Sequence, residues 1–178
     1  MKNLKFKMDS YRALDPFWER LQKALENLPG NPKPDCKGFY FAWYCHKTNK
    51  MVCEKIGFIH PDKKFKYMHF SSKKVTQTLL FKKIRSKEFE NNELEQYPGG
   101  IDILNGCAGT SGHDSMIDEA ISVLFLIADS FVALYGYPFL NTEEFYEKLN
   151  KTAIKIEERY APDNRWISFI STLMEEYS

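Results

Sequence analysis

Apolar residues recur at helical spacing in five parts of the chain. The first pattern follows Asp15-Pro16, an N-cap with proline at the first helical position, and predicts a helix over residues 16–28. A second helix is predicted over residues 72–86, and a third, long helix begins near Ser115 and ends at Gly136. Two more amphipathic patterns follow in residues 141–160 and 166–174, so the C-terminal part is predicted to be helical.

Alternating apolar and polar residues predict β-strands before the second helix. Residues 39–46 and 51–59 alternate around the turn KTNK, which predicts an antiparallel hairpin. One possible register places His46 opposite Met51. In that register one core-facing surface contains residues 52, 56 and 58 together with Phe39, Phe41, Trp43 and Cys45. Residues 65–70 also alternate and predict a third strand. Strands followed by helices indicate an α+β fold, an antiparallel sheet with helices packed on it.

A glycine-rich stretch, PGGIDILNGCAGTSGHDSMIDEA, connects the predicted sheet to the long helix. Glycines 99, 100, 106, 109 and 112 surround a short apolar run, Ile101 to Leu104. A strand, a glycine-rich loop and a helix N-terminus together make an anion-binding site. A tight turn without a ligand explains the same spacing, and the pattern alone leaves both interpretations open.

Composition narrows the possible partners. The chain has 178 residues, a length that predicts one domain over residues 1–178. Its net charge of +1 gives no electrostatic reason to expect nucleic acid as a partner. The cysteines form no CxxC pair and the N-terminus lacks the apolar core of a signal peptide, so a reducing, cytoplasmic location is expected. Asp129 interrupts the apolar run 120–140, which is therefore predicted to be a buried helix and not a membrane span.

Five potential zinc ligands, Cys45, His46, Cys53, His60 and His69, fall within a short segment. Zinc requires four ligands that converge on one point. Strand alternation directs the side chain of Cys45 away from those of His46 and Cys53. The pattern therefore favours core thiols and surface imidazoles over a zinc site.

The middle of the chain resembles the GlcG/HbpS-type haem-binding family, which includes the C-terminal domain of PduO-like proteins. The similar motifs are a lysine-containing helical run, a Gly-Gly-Ile segment, a G-x-x-G-x-S-G loop and an Asp-Glu helix start: Lys74–Thr78, Gly99–Ile101, Gly106–Gly112 and Asp118–Glu119. The resemblance covers residues 38–129 and implies a profilin-like fold. The link between Gly100 and Gly106 is shorter than is usual in the family. The helices of residues 137–178 are an extension of the family core.

The resemblance also implies a ligand, haem or another small anionic cofactor, bound at the glycine-rich loop, and association into a homo-oligomer. The binding residues that it implies are Lys74, Gly100, Gly106, Gly109, Ser111, Gly112 and His113. His113 stands at the predicted helix N-terminus, where the dipole favours neutral imidazole, and is the candidate metal contact. A surface or capping histidine is the alternative.

Two functions remain open, a small-ligand-binding domain and a non-catalytic interaction or scaffold protein. Catalysis has weaker support in the sequence. His113 occupies the position where the nucleophile-elbow pattern requires a second glycine after Ser111, which argues against a hydrolase. Asp118 and Glu119 are adjacent on a helix and point about 100° apart, so they do not form an acid–base pair.

Overall fold

The computed structural model describes residues 14–33, 35–91, 93–94 and 96–177. The expectation about a signal peptide concerns residues 1–13, which lie outside that part. The described helices are α1 (Asp15–Glu26), α2 (Pro61–Phe81), α3 (Ser115–Tyr135), α4 (Glu143–Tyr160) and α5 (Trp166–Glu176). The strands are β1 (Gly38–Cys45), β2 (Lys50–Gly57), β3 (Gly100–Ile103) and β4 (Gly106–Ser111). Short 3-10 helices, Ser86–Phe89 and Tyr137–Asn141, follow α2 and α3.

The four strands form one antiparallel sheet in the order β2-β1-β4-β3, with helices on both faces. Helix α3 packs on one face through Phe125, which contacts the rings of Phe41 and Trp43, and α1, α4 and α5 extend this main core. Helix α2 covers the other face, where Val75 packs with Ala42 and Cys107. The predicted α+β class and the two helices after the long helix are confirmed.

Helix α3 is the centre of the main core because it is apolar on nearly every side. Its first fourteen residues contain twelve buried ones, from Ile117 to Ala128. A helix that is apolar all round requires partners on all sides, and α1, α4 and α5 supply them together with the sheet. Among the described residues no helix is both long and apolar enough to cross a membrane, α3 included.

The third predicted strand, residues 65–70, is wrong because these residues belong to α2. Pro61 occupies the first turn of that helix, where proline needs no hydrogen-bond donor. Tyr67, Phe70 and Lys74 lie three or four residues apart and face the rest of the protein, whereas Phe65 is exposed. The apparent alternation therefore came from a helix with one contacting side.

The hairpin is confirmed, but its register differs by two residues, with Tyr44 opposite Met51 instead of His46. A shift of two preserves the facing of every side chain, so Val52 and Ile56 remain on the predicted surface. Cys45 and Cys53 lie on opposite faces, as expected. Phe58 follows the end of β2 and is 66% exposed, so its assignment to the core was wrong.

The predicted glycine-rich loop over residues 106–112 is also wrong, because residues 106–111 form β4 in the middle of the sheet. A Cβ atom at Gly109 would lie 2.9 Å from the carbonyl oxygen of Ser71 and 3.0 Å from Cβ of Lys74. A Cβ atom at Gly100 would lie 3.0 Å from Oγ1 of Thr78. These glycines are therefore required for the close approach of α2 to the sheet.

Candidate functional site

A cleft of about 630 Å³ opens where β4 ends and α3 begins, beside the N-terminal half of α2. This volume is in the range of about 300–1,000 Å³ that is typical of small-molecule sites. The side chains on its wall are of three kinds, cationic, aromatic and small polar. They belong to Lys33, Lys63, Lys66, Tyr67, Phe70, Lys74, Tyr97, Pro98, Ser111, Gly112, His113, Asp114, Ser115 and Asp118.

A buried ion pair forms the floor of the cleft. Lys74 is 5% exposed, and its Nζ donates to Oδ2 of Asp118 at 3.0 Å and to the carbonyl oxygen of Thr110 at 2.6 Å. The other carboxylate oxygen of Asp118 accepts from the backbone amide of His113 at 3.0 Å. Asp118 thus joins α2, the end of β4 and the first turn of α3. Because the two charges neutralise each other, the pair adds little net charge to the cleft.

His113 contributes a neutral imidazole to the wall. The residue is 5% exposed, and its ring packs against Phe39 with 5.8 Å between ring centroids. Burial lowers the pKa of His113, against the opposing effect of the Asp118 carboxylate, so the ring is uncharged at neutral pH. Its buried Nδ1 has no hydrogen-bond partner within the described part of the chain. An unsatisfied buried nitrogen of this kind is uncommon in folded proteins.

Three further lysines give the cleft a positive charge. Nζ of Lys33 donates to the carbonyl oxygen of His113 at 2.8 Å, and Nζ of Lys66 lies 5.9 Å from the centre of the Phe70 ring. Neither Lys63 nor Lys66 has a carboxylate partner among the described residues. With Lys74 neutralised by Asp118, Asp114 is the one carboxylate among the described lining residues that opposes these three cations, so the described part of the wall carries two positive charges in excess.

Aromatic rings form another part of the wall. Phe70 and Tyr97 meet edge to face, with their ring centroids 4.9 Å apart. Tyr67 lies one helical turn before Phe70, and burial raises the pKa of its hydroxyl group, which therefore stays protonated at neutral pH. A concave surface that combines aromatic rings with a few charged groups is typical of ligand sites.

A second cleft, of about 490 Å³, adjoins the first and shares Lys33, Lys63, Tyr67 and Gly112 with it. Cys36 lies in this second cleft, and its thiol donates to the carbonyl oxygens of Gly38 at 3.1 Å and Gly112 at 3.3 Å. Burial raises the pKa of this thiol, so Cys36 is protonated and serves as a hydrogen-bond donor. Lys33 and Lys63 therefore stand at the junction between the two clefts.

The structure brings together four of the seven residues that the sequence suggested, namely Lys74, Ser111, Gly112 and His113. Gly100, Gly106 and Gly109 do not line the cleft; they lie in β3 and β4. Sequence reasoning missed Lys33, Lys63, Lys66 and the aromatic wall. A helical reading of residues 61–81 was the available signal, because Tyr67, Phe70 and Lys74 then share one side of α2.

His113 is the candidate metal donor that the sequence suggested in this cleft. Within the described residues no three His, Cys, Asp or Glu side chains cluster as metal ligands would. Haem needs only one axial donor, and the neutral imidazole of His113 has the required protonation state. Its Nδ1 is covered by protein, so an axial bond through that atom requires the ring to turn toward the cleft. The surplus lysines fit the carboxylate groups that haem carries.

A second buried ion network lies beside the site and connects it to the C-terminal helices. Glu119 is fully buried and accepts from Nε of Arg85 at 3.0 Å and from Nη2 at 2.7 Å. Arg85 also contacts Asp163 at 2.6 Å, and Asn164 donates to Glu119 at 2.9 Å. The adjacent carboxylates Asp118 and Glu119 thus have different partners, Lys74 for the first and Arg85 and Asn164 for the second.

The loop between α4 and α5 is therefore held against the first turn of α3 by charge-assisted hydrogen bonds. Such bonds are stronger than those between neutral groups, and the bidentate geometry of the arginine adds directional specificity. Because Asp118 and Glu119 share that helical turn, the network also positions the floor of the cleft.

Comparison of the chain with known protein families, with curated proteins and with solved structures finds no match.

Proposed function

We propose that this protein binds a small anionic ligand in the cleft at the N-terminus of α3. The observation that carries the proposal is the surplus of positive charge from Lys33, Lys63 and Lys66 on a concave wall that also contains aromatic rings. Lysines on open surfaces are solvated, but lysines grouped in a concavity raise the local concentration of anions. The N-terminus of α3 adds its dipole to the same region.

Haem is the first ligand to test, because the resemblance in the sequence implies it and the wall residues fit its charge and its need for a donor. When bound, haem would supply iron-centred ligand or electron chemistry. The protein's own contribution would be Lys63 and Lys66 as partners of the carboxylates and His113 as the donor. Catalysis is no part of the proposal.

The second candidate is an interaction protein, and exposed apolar side chains on one element favour it. On α2, Phe65 and Leu80 are at least 70% exposed, and Phe81 is 43% exposed. Isolated exposed apolar residues are normal in soluble proteins, but several on one helix are typical of a protein contact. The two candidates differ in one measurable property: binding of a protein partner through these apolar side chains should not depend on the lysines of the cleft.

A titration of haem followed by visible absorption tests the proposal. The variant Lys63→Gln/Lys66→Gln removes two charges from exposed positions, so it should fold normally and bind about tenfold or more weakly, since a charge-assisted contact contributes about 1.5–3 kcal/mol. The matched control is Lys47→Gln/Lys155→Gln, which removes two exposed lysines outside the cleft. Binding that also weakens with salt would support the proposal. Identical curves for both double variants would oppose it.

A further inference from the structure

We infer that the ligand of this cleft is a phosphate monoester that carries an aromatic ring, with nucleoside monophosphates as the fitting class. The inference rests on the proposed function, because it names the ligand of the same site. It combines the charge of the cleft with the positions of the cations and the aromatic rings relative to each other.

The charge of the cleft matches a dianion better than a monoanion. Lys33, Lys63 and Lys66 exceed the opposing charge of Asp114 by two. A phosphate monoester carries close to two negative charges at neutral pH, since its second pKa is about 6. A ligand with a single carboxylate would neutralise one of these two excess charges and leave the second unpaired. The compact ammonium groups of lysine are established binders of phosphate.

The position of the cations places the anionic group at one end of the ligand. Lys33 and Lys63 line both clefts and therefore stand at their junction, whereas Phe70 and Tyr97 line only the larger cleft, where Lys66 is the one further cation among the described residues that is not paired with a carboxylate. A phosphate between Lys33 and Lys63 leaves the larger cleft for the remainder of the molecule. The two parts of the wall therefore select a molecule with charge at one end and a ring at the other.

The aromatic wall is suited to a flat ring. Phe70 and Tyr97 are fixed by their edge-to-face contact, and Tyr67 lies one turn before Phe70 on the same side of α2. Aromatic side chains bind nucleic-acid bases by stacking and tolerate different bases, because every base has a π face. His113 adds a buried, neutral imidazole to the same cleft, packed against Phe39.

Calorimetric titrations with AMP, adenosine and inorganic phosphate test this inference. We expect AMP to bind at least tenfold more tightly than adenosine, which lacks the charge, and than phosphate, which lacks the ring. Phe70→Leu should weaken the binding of AMP about tenfold, in line with the contribution of a base–aromatic stack. Phe65→Leu is the matched control, because Phe65 lies on the same helix, is exposed and does not line the cleft.

The outcomes separate this inference from the proposed function. AMP that binds no more tightly than phosphate, or equal losses in Phe70→Leu and Phe65→Leu, would overturn the inference. Haem binding that depends on Lys63 and Lys66, without AMP binding, would leave the proposed function intact and overturn the nucleotide assignment. Failure of haem, AMP and phosphate to bind would overturn both. Circular dichroism of each variant establishes that it is folded, and a variant that has lost its fold is replaced by Lys63→Gln/Lys66→Gln.

Discussion

Replacement of Gly109 by alanine tests whether the glycines of β4 are present for close packing. Gly109 has ordinary strand geometry with no positive φ, so alanine meets no backbone penalty there. In open space such a change would stabilise the protein by about 0.4–1 kcal/mol, because alanine restricts the unfolded chain. The packing in the structure predicts the opposite sign.

The new methyl group would lie 2.9 Å from the carbonyl oxygen of Ser71, 3.0 Å from Cβ of Lys74 and 3.2 Å from Cγ2 of Val75. Two of these neighbours belong to the backbone or to the base of a side chain, so α2 itself must move away from the sheet. Overpacking of this kind costs about 1–3 kcal/mol. For a chain of this length the melting temperature should fall by about 2–4 °C for each kcal/mol.

Thermal and urea unfolding of Gly109→Ala and Gly109→Val measure the effect, and valine should destabilise the protein more. Gly136→Ala is the control, because φ is +82° there and the nearest atom to a new Cβ, Cδ of Pro138, is 3.7 Å away. That substitution should cost about 1 kcal/mol through backbone strain alone. A Gly109→Ala protein as stable as wild type, or more stable, would refute the close packing of α2.

Substitutions at four other residues test the buried charges. Lys74→Met should destabilise the protein by about 3–5 kcal/mol in urea unfolding by leaving Asp118 unpaired, and Lys74→Met/Asp118→Asn should recover part of that loss. Glu119→Gln should lower stability by a similar amount, because it removes the buried carboxylate charge that pairs with Arg85. Unchanged stability would show that the Arg85–Glu119 pair does not stabilise the protein. Burial raises the pKa of Asp129 from 3.8 to about 6, so the folded state holds its proton more tightly, and the contribution of Asp129 to stability should fall as pH rises from 3.8 to about 6. Asp129→Asn should abolish that slope and gain about 1–2 kcal/mol above pH 6 after allowance for partial exposure; an unchanged slope would contradict the assignment.

Helices with one buried side, or with all sides buried, were predictable from the sequence. The N-cap and proline at Asp15-Pro16 and the stop at Gly136 correspond to ends of α1 and α3 within one or two residues. The face assignments in the hairpin were also correct for Val52 and Ile56, since a register shift of two residues leaves each side chain on its side. These features depend on local periodicity, which one sequence contains in full.

The glycine stretch was misassigned because its cause is not local. Position 109 has no room for a side chain because Ser71 and Lys74 lie against it, and these residues belong to a helix more than thirty residues earlier in the chain. Spacing alone does not distinguish a glycine that permits a turn from one that admits a neighbouring helix. The segment 65–70 was misassigned for a related reason, since a strand period fits any short run in which large and small residues alternate.

The composition of the cleft was only partly predictable, because its wall comes from separate segments. Ser111, Gly112 and His113 were predicted as site residues, and Lys74 entered through the resemblance. Lys33 and Tyr97 enter the wall only after the connector before β1 and the segment before β3 fold against α2 and α3. The contact between Lys74 and Asp118 was likewise not predictable from the sequence. Because Lys74 stabilises the fold through this contact, binding tests should use variants of Lys63 and Lys66 instead of variants of Lys74.

The most direct test of the central claim is a two-dimensional amide NMR titration with haem and, separately, with AMP. Binding in the cleft predicts saturable changes at Gly112, His113 and Ser115 and at residues 63–70 of α2. The turn at residues 46–49, at the other end of β1, should keep its signals unchanged. Saturable changes confined to the cleft with either ligand would support the account. No change with either ligand, or changes spread over the outer surface of α2 alone, would contradict it.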